Sequence, residues 1–517
     1  MGGTFTQGED AAQQDEVGMK VVIVGGGSAG WMAAAALGRI LGDMWSIDLI
    51  ESDAIGTVGV GEATIPQIQL FNGVVGLDEA EFVARTKGSF KLGIEFVGWH
   101  GGEQSRYIHA FGQVGRDLGL IPFHHYWLQA KVRGDTSRLE DYSQSGSAAW
   151  ANRFMREDAL PGTPLGAATY AYHFDAGLYA NFLREKAEGF GVTRHEGRIT
   201  DVERDGESGD VAAVVMDDGR RIAGDLFIDC SGFASLLLGQ TMGVDYIDWS
   251  EWLPMDRALA VPCESVEPVT PYTRSTARKA GWQWRIPLQH RIGNGHVYCS
   301  EYLSDDEAAA VLLANLDGKP LADPRPLRFT TGRRREFWKG NVVSLGLSSG
   351  FLEPLESTSI HLVQSGIKHL IDLLPNGTIK PADVAAFNTK LGFEFERIRD
   401  FIILHYHAND RDGPFWQRCR EMSIPDTLRE KIETLRASGR IFRFNEELFT
   451  ELGWLQVMVG QGIVPQSYHP LADAPGSANV DRYLASIREL VEARVARMPA
   501  HRAYLNQMCG TAAEIAA

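Results

Sequence analysis

Residues 20–31 read Lys-Val-Val-Ile-Val-Gly-Gly-Gly-Ser-Ala-Gly-Trp. Val21, Val22, Ile23 and Val24 form an unbroken β-branched run, the pattern of a parallel strand covered on both faces. Gly25, Gly27 and Gly30 follow with G-x-G-x-x-G spacing, and Met32 to Leu37 continue as small and apolar residues suited to a tightly packed helix. Gly25 permits the tight turn, Gly27 lets backbone approach a pyrophosphate, and Gly30 brings helix and strand together. Ser28 and Ala29 lie at the helix N-terminus, where free N–H groups and the positive dipole end face phosphate oxygens. A second strand, Ser46–Ile50, ends at Glu51, about 20 residues past the last glycine, the place for a ribose-binding carboxylate. Strand, glycines, helix, strand and acid in this order predict a dinucleotide-binding α/β module. The fingerprint alone does not separate FAD from NAD.

A chain of 517 residues exceeds one compact core, so two or three modules are expected. The formal charge of −17 argues against a general nucleic-acid binder, which needs a basic surface. Five scattered cysteines without C-x-x-C spacing suit a reducing cytoplasm and argue against a disulfide framework or a cysteine-based metal site; no metal is expected. No apolar run reaches the length that spans a bilayer, so no membrane association is expected. Residues 1–18 are polar and read as a flexible leader.

Outward from the fingerprint, Gly56-Thr-Val-Gly-Val60-Gly-Glu-Ala63-Thr-Ile-Pro66 places three glycines in six residues. This is either an ordinary tight loop or a strap over a ligand. In Ser89–Val97, Phe90, Leu92, Ile94 and Phe96 alternate with Lys91, Gly93, Glu95 and Val97, as along one strand. Lys91 then points away from the apolar face, toward a polar cavity or, as is usual for a lone lysine, toward solvent. Tyr107–Gly112 and Ile121–Trp127 are rich in aromatic residues, fit for a pocket or for core. His124 and His125 are adjacent and are expected to point apart, which disfavours a metal pair.

Further on, Asp175–Ala187 reads as a helix, and Gly197–Val202 and Val211–Met216 as strands. Asp225–Gly232 is an apolar strand ending in acid, small residues and glycine. Asn341–Leu347 is read as another buried strand. A helix then starts near Ser357, with Ser357, Thr358 and Ser359 as capping groups and Ile360, Val363, Ile367, Leu370, Ile371 and Leu374 on one face, ended by Pro375. From Pro381 onward the pattern is mainly helical.

Four separated motifs resemble the flavin-dependent tryptophan halogenase family: GGGSAGW at 25–31, GSFKLGIEFVGW at 88–99, GWQWRIP at 281–287 and GLSSGFLEPLEST at 346–358. The likeness runs from about residue 19 into the 450s. It implies an α/β fold: an FAD-binding Rossmann-like module with mixed β-sheets over residues 19–375, with substrate-pocket segments near 88–130. A mainly helical module and substrate lid would occupy 376–517. It implies FAD, used as FADH2 and delivered by a separate flavin reductase, and a halide ion, chloride or bromide. In such enzymes reduced flavin, O₂ and halide give hypohalous acid, which travels through a tunnel to a lysine beside an electron-rich arene.

Lys91 matches that lysine and Glu356 the neighbouring acid, with Ser357 positioning it. Thr358 and Ser359 match the halide site, although position 359 is more often glycine in the family. Trp282 and Trp284 match the flavin wall. His109, Phe111 and Trp454 match substrate-lining positions, and Val60, Ala63, Val202, Leu347 and Ile360 match cofactor contacts. A carboxylate beside the arene would stabilise its cationic intermediate and help remove the proton.

Tryptophan-specific members hold the amino-acid portion of their substrate with lid tyrosines and an acid. Glu451–Gln461 lacks a tyrosine pair, so the expected substrate is indole or another small electron-rich arene, substituted at indole C3 where intrinsic reactivity is greatest. Two other readings remain: a single-component flavin monooxygenase, and a flavin-binding redox sensor without chemistry.

Overall fold

The computed structural model describes residues 18–55, 61–156, 158 and 166–515. Residues 1–17 of the leader expected over 1–18, and residues 56–60 of the glycine-rich loop, Val60 among them, lie outside the described residues.

The valine-rich run is strand β1 (Lys20–Val24), followed by helix α1 (Ser28–Leu41) and strand β2 (Ser46–Glu51). β1 is central in a six-stranded sheet: Trp338–Lys339, Val342–Ser344, Leu226–Asp229, β1, β2 and Thr193–Glu196. The sheet is parallel except at the short Trp338–Lys339 edge. Its central strands are mostly apolar because both faces are covered there, and Val21, Val22 and Ile23 are fully buried; the edge strand Thr193–Glu196 is polar. Only Val342–Ser344 of the expected Asn341–Leu347 strand pairs in the sheet; Gly346–Ser348 turns as a short 3₁₀ helix beside α1.

A seven-stranded sheet carries Gly281–Pro287 near its centre and Gly93–Val97 and Arg106–Ala110 at one edge. A three-stranded sheet joins Glu62–Ala63, Ala171–Phe174 and Ser89–Lys91. The stretch 89–97 is therefore two strands in two sheets, not one. The break is Leu92, whose N–H goes to the Pro271 carbonyl at 2.7 Å and whose carbonyl takes the Phe111 N–H at 2.8 Å. Both faces are covered, so Lys91 is fully buried, contrary to the expectation of solvent.

After Pro381 the described elements are helical, led by Pro381–His407 and closed by Ser477–Arg497 and His501–Ile515. One apolar cluster runs from β1 through Trp282 and Phe401 to Leu505, so these helices share the core of the sheets. The 121–127 segment splits in role: Phe123 packs on Tyr142, and Tyr126 and Trp127 are core. His124 and His125 do not point apart: they stand on helix Phe123–Val132 with ring centres 4.1 Å apart, because His124 Nε2 reaches the Gly439 carbonyl and His125 Nδ1 takes the His469 N–H. No helix of the described residues is long and apolar enough to cross a membrane.

Candidate active site

The glycine turn has the geometry its spacing dictates. Gly25 has φ +112°, and a side chain there would strike the Cys230 carbonyl; one on Gly30 would lie 1.8 Å from the Gly25 carbonyl oxygen. A Cβ on Gly27, by contrast, meets nothing within 4 Å. Open space above Gly27, at the start of a 14-residue helix with no side-chain cap, is what an approaching pyrophosphate needs. Ser28 and Ala29 form the first turn of that helix. Glu51 ends β2, held by Arg194 Nε at 2.6 Å and by Trp31 Nε1 at 3.2 Å.

Beyond the turn lies an apolar cavity with about 850 Å³ of empty space, part of it open to solvent. Gly61 and Ala63 line it on one side, Trp284 and Ile286 on another, and Leu347, Phe351, Ser357 and Ser359 on a third. The glycine-rich 56–66 segment thus meets the cavity at its described end. Trp284 Nε1 and Thr358 Oγ1 are buried without a hydrogen-bond partner. An apolar space lined by Trp284 with its orphaned Nε1, together with the open phosphate turn, fits a flavin dinucleotide. Val202 lies on the small Ile199–Arg204 strand and packs on the second apolar cluster with Val24 and Ile50. Ile360 is buried in the first turn of helix Ser359–Asp372. That helix begins without a side-chain cap, so the expected capping roles of Ser357, Thr358 and Ser359 are not realised.

Ser357 connects the cavity to the buried charges. It follows the 3₁₀ turn Pro354–Glu356 with φ +60°, a left-handed conformation uncommon for serine. There its Oγ accepts a 2.7 Å hydrogen bond from Lys91 Nζ. Burial lowers the Lys91 pKa to about 7, against the upward pull of Glu356. The Phe111 ring centre lies 5.4 Å from the same nitrogen.

Glu356 is 1 % exposed, yet it is held as an anion. Burial alone pushes its carboxyl upward, but His109 and His405 outweigh that and hold it at about 2. His109 Nδ1 lies 2.9 Å from Oε2. His405 Nε2 lies 2.9 Å from Oε1, off the line of a hydrogen bond, as a charge contact. The other His405 nitrogen lies 2.8 Å from the Phe401 carbonyl, which only accepts. Nδ1 of His405 therefore carries a hydrogen.

A second acid, Glu353, is fully buried. Its Oε2 accepts from Trp282 Nε1 at 2.7 Å and from Tyr406 at 2.5 Å, and burial raises its pKa to about 7. Trp282 and Trp284 lie on one side of their strand with ring centres 6.1 Å apart. Only Trp284 reaches the cavity lining; Trp282 stands behind it, anchored to Glu353. Trp454 is buried against Phe401, itself 5.6 Å from His109.

Lys91, His109, Phe111, Glu356 and Ser357 thus converge from three separate chain segments. Sequence reading missed His405, Tyr406 and Glu353. His405 sits in an apolar helical stripe, four residues after Phe401, where a histidine reads as core; its only signal was that a buried imidazole needs a partner.

Residues 20–477 match the family model for tryptophan halogenase. Tryptophan 7-halogenase RebH of Lentzea aerocolonigenes is 35% identical over 95% of this chain and 99% of its own. Xcc4156, a flavin-dependent halogenase from Xanthomonas campestris, superposes with a TM-score of 0.92 at 52% identity, covering 96% of this chain and 99% of its own. BrvH, a flavin-dependent halogenase from Brevundimonas sp. BAL3, gives 0.91 at 45% identity over 95% of this chain and 99% of its own. The chain belongs to the flavin-dependent tryptophan halogenase family.

Proposed function

We propose that this halogenase works as one half of a two-component system in the cytoplasm, receiving FADH2 from a separate flavin reductase and halogenating a neutral, electron-rich arene such as indole. The observation that carries the reading is Lys91: a fully buried amine, 2.7 Å from Ser357 Oγ, with that serine on the cavity lining. When bound, reduced flavin would supply, with O₂ and chloride or bromide, the hypohalous acid. Gly25, Gly27, Ser28, Ala29 and Gly30 at the glycine turn would hold its pyrophosphate, Glu51 its ribose, and Ala63, Leu347 and Ile360 would contact the rest of the group. The N–H groups of Thr358 and Ser359, at the start of a 14-residue helix, favour halide.

Lys91 receives the oxidant. With a pKa near 7 a large share of the side chain is neutral, and its lone pair attacks the halogen of hypohalous acid. An N–X bond forms, the X–O bond breaks, and the hydroxide leaves as water with one amine proton. The arene π-electrons then take the halogen, the N–X electron pair returns to nitrogen, and the proton lost by the arenium passes by way of Glu356 to that nitrogen, restoring the amine. Glu356 stabilises the arenium cation and accepts its proton. A carboxylate held near 2 is a weak base but a permanent anion, which suits a very acidic arenium. Burial excludes water that would compete for the halogen.

The substrate preference is supported by the lid. Two of its cations are spent internally: Arg443 Nε on the Glu447 carbonyl and Lys431 Nζ on the Phe442 carbonyl. His109, Phe111, Phe401, Phe449 and Trp454 offer aromatic walls, and a zwitterion finds no fixed polar partners among them. Loosely held indole reacts at C3.

The test is a mass-spectrometric assay with FAD, NADH, a flavin reductase, O₂ and bromide, offering indole and tryptophan in parallel. Monobrominated indole with little brominated tryptophan is the expected result. Brominated tryptophan, a benzo-ring bromide by NMR, or NADH oxidation by the protein without reductase would each overturn part of the reading.

A further inference from the structure

Glu353 is a buried acid that the chemistry above does not use, and it stands where three site-bearing segments meet. It is fully buried, one position before the Pro354–Glu356 turn. Its Oε2 takes two donors, Trp282 Nε1 at 2.7 Å and the Tyr406 hydroxyl at 2.5 Å. Trp282 lies on the Gly281–Pro287 strand, two positions before Trp284, which lines the cavity; the two indole ring centres are 6.1 Å apart. Tyr406 lies on helix Pro381–His407, next to His405, whose Nε2 is 2.9 Å from Glu356 Oε1. The Tyr406 ring is itself fixed, stacked on Trp416 at 6.0 Å and edge-on to Trp99 at 5.5 Å. One carboxyl therefore joins the cavity wall, the helix of His405 and the turn of Glu356 and Ser357.

A buried carboxyl is a poor filler for a core, because burial penalises its charged form; here it pushes the pKa up to about 7. The hydrogen bonds say what the acid is for. Trp282 Nε1 and the Tyr406 hydroxyl both turn to Glu353, and without it two donors would be stranded in the interior. Glu353 Oε1 has no partner, so all of the acid's hydrogen bonding goes to these two side chains. Glu353 is not on the cavity lining, so it acts through its neighbours. An oxygen with two lone pairs accepts both bonds without carrying a charge. We infer that Glu353 is a positioning residue for halogen transfer: through Trp282 it sets the Trp284 wall, and through Tyr406 it sets His405 against Glu356, so that oxidant made in the cavity passes to Lys91 instead of escaping. The inference rests on the reading of this site as an arene halogenase. It requires an acceptor oxygen at position 353, not an anion.

Glu353→Gln keeps that oxygen, and Glu353→Leu keeps similar bulk without it. Two readouts separate positioning from mere support of the fold. The first needs no turnover: an indole against the ring quenches oxidised FAD, so flavin fluorescence of the FAD-loaded protein reports where Trp284 stands. It should rise about twofold in Glu353→Leu and stay at the wild-type level in Glu353→Gln. The second is coupling, the brominated indole formed per FADH2 oxidised in a single turnover. Glu353→Leu should lose about tenfold in coupling, with the missing oxidant recovered in solution as hydrogen peroxide or hypobromous acid. Its steady-state KM for indole should hold within about twofold, and Glu353→Gln should couple as wild type does. Wild-type fluorescence and coupling in a folded Glu353→Leu would overturn the inference, and so would a Glu353→Gln as impaired as Glu353→Leu. If Glu353→Leu fails to fold, Trp282→Phe and Tyr406→Phe each remove one of the two bonds. Both should lower coupling, and wild-type coupling in either overturns the inference. Failure of the parent reading looks different: wild type then halogenates no arene at all, while the fluorescence comparison of the variants remains measurable.

Discussion

The glycine turn at Gly25–Gly30 and the Lys91–Glu356 centre manage charge in opposite ways. The turn offers an anion no cationic side chain of its own. It offers backbone N–H groups, a helix dipole and a space kept open because Gly27 has no side chain. The centre does the reverse: it buries two ionisable side chains completely and sets each by its neighbours. Lys91 has a serine as hydrogen-bond partner, and burial brings its pKa down to about 7. Glu356 suffers the same burial, yet two histidines hold it near 2. Equal desolvation thus yields a reactive amine at one position and a fixed anion at the other. Binding is built on backbone shape, and chemistry on partner choice.

The largest test of this contrast is Lys91→Ala. Halogenation should fall by at least about 10³-fold while FAD affinity, read by flavin fluorescence, stays within about twofold. A parallel loss of FAD binding would merge the two regions. Glu356→Gln keeps an acceptor for His109 but removes the anion, and kcat should drop about 10²-fold with little change in KM. Gly27→Ala is the mirror experiment. Nothing in the protein touches the added methyl, so the melting temperature should hold, yet FAD should bind about tenfold more weakly. Gly30→Ala, whose methyl would sit 1.8 Å from the Gly25 carbonyl oxygen, should instead lower the melting temperature.

The smallest effect is in pH. The neutral Lys91 amine grows as pH rises through about 7, so single-turnover halogen transfer should rise there and level off above. A fall through the same range would mean that the ammonium, as a hydrogen-bond donor to hypohalous acid, is the working form. Glu356 adds no inflection near neutrality. Its contribution to stability is complete above pH 4.5 and is lost as pH falls toward 2.

How far these regions were legible follows from the range of the forces that make them. The β1–α1–β2 unit was readable because its strand run, glycines and terminal acid lie within about 30 residues and act through local backbone geometry. The GWQWRIP strand was readable as a motif, but its division of labour was not: Trp284 faces the cavity while Trp282 is tied to Glu353, 71 positions away. The single strand expected over 89–97 failed because period-two alternation does not reveal that Leu92 hands its neighbours to two different sheets. That handover is also why Lys91, which its pattern left facing either solvent or a polar cavity, ends up buried.

The sequence by itself determined the glycine-turn unit and the family, because these are carried by residue types at fixed short spacings; Lys91 and Glu356 came forward only through the resemblance. Only the tertiary structure decided their states. Lys91 finds Ser357 across 266 positions, and Glu356 finds His109 across 247. His405 joins them from a helix whose apolar stripe reads as plain core. Burial and ion pairing are properties of what surrounds a side chain, and no local spacing encodes them.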